Sequence, residues 1–103
     1  MSDTPAVLVL ILNADRREQV RQRLSELDVT AVLVRANDAI DAVERLRPIS
    51  VVIDEAHAAT APDDFLETAC MHHVRLVALP DYELLSDTRD AALRYAAAPL
   101  PRL

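Results

Sequence analysis

The stretch Ser50 to Thr60, SVVIDEAHAAT, holds the residues with the greatest capacity for chemistry. An apolar run ending in Asp54 and Glu55 sets two carboxylates at the end of a strand, where they can hold a divalent cation or accept a transferred group. Asp-Glu-Ala-His in that place is also the magnesium site of helicase-type ATPases, in which the Asp holds the ion through water and the Glu polarises the attacking water. His57, Cys70, His72 and His73 add imidazole and thiolate, the usual zinc donors. Asp15 supplies one more acid, shortly after the first apolar run.

Most of these chemistries fail on what surrounds them. ATP hydrolysis needs a glycine-rich loop with its Lys to cradle the phosphates, and the chain has 0 Gly, against a usual ~7%. The residues after the first apolar run, NADRRE, offer neither Lys nor a hydroxyl. Cys70 and His72 are two apart on a helical pattern and so do not share a face, and no second Cys completes a tetrahedral site. Cys70 is expected in the core and the His pair at a helix end. A buried helical thiol is inert, and no strained nucleophile turn is visible, which removes Cys–His–Asp catalysis. Where positive φ is required, Asn, Asp or solvent must serve instead of Gly.

Composition narrows the partners. At 103 residues and 51% apolar content the chain suits one domain, residues 1–103, with its own core. Eleven basic residues, all Arg, stand against 17 acids for a net charge of −6. That balance disfavours nucleic acid and anionic membrane. The longest apolar run, Ala6 to Leu12, is far short of the roughly 20 residues that span a bilayer. MSDTPAV has no basic n-region, and a single Cys fits a reducing compartment, so the expected location is cytoplasmic.

Four β-branched apolar runs alternate with helical patterns. Ala6–Leu12, Thr30–Val34, Ile49–Ile53 and Val74–Leu79 read as strands, three of them nearly continuous, as when both faces are covered. Asp15 with Glu18 is expected to cap a first helix whose stripe is Val20, Leu24 and Leu27. Its arginines, Arg16, Arg17, Arg21 and Arg23, read as a solvated face. Asn37 or Asp38 opens a second helix with Ala39, Ile40, Val43 and Leu46 on one side. Asp63 or Asp64 opens a third with Phe65, Leu66, Ala69 and Cys70 inward. A fourth, from about Asp81 to Ala96, turns Leu84, Leu85, Ala91, Ala92 and Tyr95 inward, and residues 97–103 form a tail or short edge strand. This alternation predicts βαβ units with right-handed crossovers and a parallel sheet.

In order and spacing these segments resemble the response-regulator receiver family. VLVLILNADRREQVRQRLSEL has the shape of the receiver opening, and VRANDAIDAVERLRP is similar to the second strand end and helix. PISVVIDEA matches the third strand, and VRLVALPD the fourth. The resemblance implies a flavodoxin-like three-layer sandwich. Its parallel sheet has four to five strands in the order 2-1-3-4 with a fifth left open. Helices lie on both faces, and the fifth helix is missing. It implies that Asp54 is the phospho-acceptor position.

The other parts that the family needs are mostly absent. Its pair of magnesium-binding acids falls at Leu12–Asn13 or Asn13–Ala14, its hydroxyl near Leu79–Pro80, and its Lys near PLPRL, where only Arg102 stands. The expectation is therefore a degenerate, non-enzymatic receiver-like module in a bacterial signalling setting, with no cofactor. It would act by protein–protein interaction or as a homodimer, through a surface of Leu84, Leu85, Leu93 and Tyr95. The alternative is a working phospho-acceptor that uses Asp54 with Mg²⁺, with Asp15 and Glu55 as substitute metal ligands.

Overall fold

The computed structural model describes residues 5–55, 63–79 and 86–98. In chain order the elements are β1 (Ala6–Leu10), α1 (Ala14–Glu26), β2 (Thr30–Leu33), α2 (Ala39–Leu46, entered by a 3-10 turn at Ala36–Asp38), β3 (Ser50–Asp54), α3 (Asp63–Met71), β4 (Arg75–Leu79) and α4 (Ser86–Ala97). All strand pairings are parallel, and the sheet runs in the order β2-β1-β3-β4. This is the expected flavodoxin-like α/β sandwich. Of the expected tail or edge strand at 97–103, Ala97 belongs to α4, and residues 99–103 lie outside the described residues.

Strand alternation divides the core into two layers. Val7, Val9, Val52, Val77 and Leu79 face α1 and α4, where they meet Val20, Leu24, Leu93 and Ala96. Leu8, Leu10, Val51 and Ile53 face the opposite way, onto Ala39, Ala42 and Val43 of α2 and Phe65 and Ala69 of α3. β1 and β3 are central and covered on both faces, which is why their sequences lack an apolar–polar alternation. Among the described residues no helix is long and apolar enough to cross a membrane.

Several local expectations change. Asn13, not Asp15, caps α1: its Oδ1 accepts from the Arg16 N–H at 3.0 Å, while Asp15 lies in the first turn. Glu18 does not complete a capping box, because Arg21 holds it in an ion pair one turn on. That contact lowers the Glu18 pKa. Cys70 is exposed, since the inward stripe of α3 runs Phe65–Ala69 and the next residue is turned about 100° away. Leu46 is exposed more than a third, and Ala42 takes the inward place on α2. Positive φ falls at Asp28 (62°), Arg47 (48°) and His73 (56°), each just past a helix end. Asp28 was the expected kind of residue. Arg47 and His73 take up the left-handed conformation because the reversal into the next strand demands it and no Gly is present.

Polar ties hold α4 to the rest. Arg23 of α1 pairs with Asp90, which also meets Arg94 Nε at 2.9 Å. The Arg23 guanidinium holds the Asp90 carboxyl below its ordinary pKa. A lowered carboxyl favours the fold above the usual carboxylate range and stops doing so as pH falls through its own value. Ser50, buried in β3, donates its hydroxyl to the Ala96 carbonyl at 2.7 Å. Arg75 at the start of β4 donates to the Tyr95 and Ala98 carbonyls and lies 4.4 Å from the Tyr95 ring centroid. The guanidinium thus caps the negative end of the helix and stacks on its last aromatic.

Candidate functional site

β1 and β3 are neighbours in register, Leu10 beside Ile53, so their C-terminal ends emerge together. This rim of a parallel sheet is where open α/β folds place ligands. Asp54 is the last residue of β3 and opposes the turn Ile11–Asn13 that leads into α1.

The carboxylate of Asp54 points into the protein. The residue is 4% exposed, and its Oδ2 accepts from the Leu12 N–H at 3.0 Å. The bond joins residues 42 apart in sequence and fixes the β1–α1 turn to the end of β3. Leu12 itself is 71% exposed, so without Asp54 its amide would face solvent. Asn13 is equally engaged, as the α1 cap. The side chains of Asn13 and Asp54 therefore both satisfy backbone N–H groups.

Among the described residues no group of three or more His, Cys, Asp or Glu is placed to hold a metal ion. Asp15 is exposed on α1, Glu55 is exposed beyond β3, and Asp54 is turned inward between them. Leu79, near the expected hydroxyl position, is buried core. His57, Pro80 and Arg102 lie outside the described residues.

The proposed α4 surface also changes. Leu93 is fully buried against the α1 side of the sheet and cannot line an interface. Tyr95, expected inward as well as at the surface, is 58% exposed, and Ala91 is exposed too. The reason is register: Leu93 and Ala96, three apart, form the inward stripe, and Tyr95 falls outside it. Leu84 and Leu85 lie outside the described residues.

Two features went unread in the sequence. One is the Asp54–Leu12 clamp, which a side chain-to-backbone bond between distant segments leaves unmarked. The other is the outer edge of β2, where Leu33 is 45% exposed beside a groove of about 470 Å³ against α2. No family model, curated protein or solved structure matches the chain.

Proposed function

We propose that this chain is a non-catalytic, receiver-like regulatory module of the cytoplasm that works by binding protein, itself or a signalling partner. The observation that carries this reading is the Asp54 carboxylate, buried and bonded to the Leu12 N–H where a receiver would hold its phosphoryl site open. Phosphoryl transfer requires an exposed carboxylate oxygen, a metal to neutralise the developing charge and a cation to pair with the product. Here the oxygen is covered, the acid pair is replaced by an outward Leu12 and a capping Asn13, and the chain has no Lys. What is left for function is surface. The chain's acidic net charge and exposed apolar residues suit a protein partner better than a polyanion.

Incubation of the protein with Mg²⁺ and acetyl phosphate, followed by intact-mass measurement, tests the reading. No phosphoryl adduct is expected. An adduct on the wild-type chain that Asp54→Asn abolishes would establish the phospho-switch instead.

A further inference from the structure

We infer that two copies of this chain associate through the outer edges of β2, antiparallel about a two-fold axis at Val32, so that their sheets become continuous. The inference rests on the reading of the chain as a binding module and names its partner and surface.

β2 is the terminal strand on one side of the sheet. Thr30 N–H donates to the Pro5 carbonyl at 2.9 Å and Val34 N–H to the Val9 carbonyl at 3.2 Å. Alternation along a strand then directs the N–H and C=O of Ala31 and Leu33 outward, away from β1. These two residues flank Val32 symmetrically. In an antiparallel pairing centred there, Ala31 of each copy exchanges both bonds with Leu33 of the other, and the Val32 residues meet as a non-hydrogen-bonded pair.

Soluble proteins protect such edges with charge, Pro or a bulge. From Val29 to Val34 the sequence is VTAVLV, with none of these, and Leu33 is 45% exposed. The charges sit just outside, Asp28 before the strand and Arg35 after it, both exposed. Neither makes an ion pair or side-chain hydrogen bond with a described residue. Antiparallel pairing sets Asp28 opposite Ala36 of the other copy, one residue from its Arg35, at both ends, whereas parallel pairing would set like charges together. An acid-first, base-last strand thus complements a copy of itself.

The groove beside β2 adds to this match. Its rim carries Arg35 and Arg45 with Asp38 and Asp41, which balance locally on a chain of net charge −6. Two copies can approach here without the repulsion that the net charge imposes elsewhere. Isologous contacts require this kind of self-complementarity.

Sedimentation equilibrium of the full chain is expected to show a concentration-dependent dimer, and Leu33→Arg to weaken it about tenfold or more by setting two cations across the axis. Val32→Cys in a Cys70→Ser background should cross-link to its own copy under mild oxidation, because non-hydrogen-bonded pairs bring Cα atoms to ~4.5 Å, within disulfide range. Circular dichroism establishes whether Leu33→Arg is folded, and if it is not, the cross-link decides. A strict monomer, or a dimer that neither responds to Leu33→Arg nor cross-links at residue 32, overturns the inference. Such a result differs from a phosphoryl adduct on Asp54, which overturns the non-catalytic reading itself.

Discussion

Asp54→Ala is expected to lower the unfolding free energy by about 2–3 kcal/mol, with the urea midpoint shifted and the slope unchanged. The substitution removes the acceptor of the Leu12 N–H and opens the junction between β3 and the β1–α1 turn. Hydrogen bonds to a carboxylate acceptor contribute more than those between neutral groups. Asp54→Asn keeps an oxygen of the same reach, so its loss should be about 1 kcal/mol or less. The ordering Ala well below Asn, with Asn close to wild type, marks a structural acceptor. A carboxylate kept for chemistry behaves in the opposite way, since functional groups held in place are often stabilised by their removal. An Asp54→Ala protein as stable as wild type, or more so, would count against the clamp.

Leu93→Ala is expected to cost about 2–5 kcal/mol, the usual range for truncating a fully buried leucine whose site cannot collapse. Leu93 sits between α1 and the sheet, in the layer with Leu24, Val77 and Leu79, and among the described residues α4 adds it and Ala96 to the buried part of that core. Thermal or urea unfolding measures the loss. Tyr95→Ala is the informative companion. It removes a half-exposed ring and its stacking with Arg75, worth about 0.5–1 kcal/mol at an exposed site. Equal small effects at both positions would mean that Leu93 faces solvent and that the register of α4 is wrong.

The contrast between these two residues shows what the sequence makes legible. Strands and their order can be read because Val7 to Ile11 and Ser50 to Ile53 need two covered faces, and short parallel connections leave few topologies. The position of Asp54 at the end of β3 can be read for the same reason. Its direction cannot, because a carboxylate at a strand end can turn outward to solvent or back onto an amide, and the partner amide at Leu12 lies 42 residues earlier on an apolar residue. In α4 the pattern AALRYAAA offers several stripes of similar apolarity, and only the sheet surface selects Leu93 and Ala96 over Ala91 and Tyr95. Small residues give helical periodicity little contrast. Ser50 did leave a trace, a hydroxyl inside an apolar strand, but its acceptor at Ala96 is set by tertiary packing. The order 2-1-3-4 places β2 at the edge of the sheet, but a strand's hydrophobicity does not tell how far its outer edge is left uncovered.

The central claim is that the carboxylate at the end of β3 is a structural acceptor. Amide hydrogen exchange at Leu12 tests it most directly, since this residue is 71% exposed and its N–H has Asp54 Oδ2 as acceptor. In the wild-type protein the Leu12 amide should exchange far more slowly than a solvated turn amide, and Asp54→Ala should abolish that protection while β1 and β3 amides remain protected. A Leu12 amide that exchanges at the rate of an open turn in the wild-type protein would contradict the account.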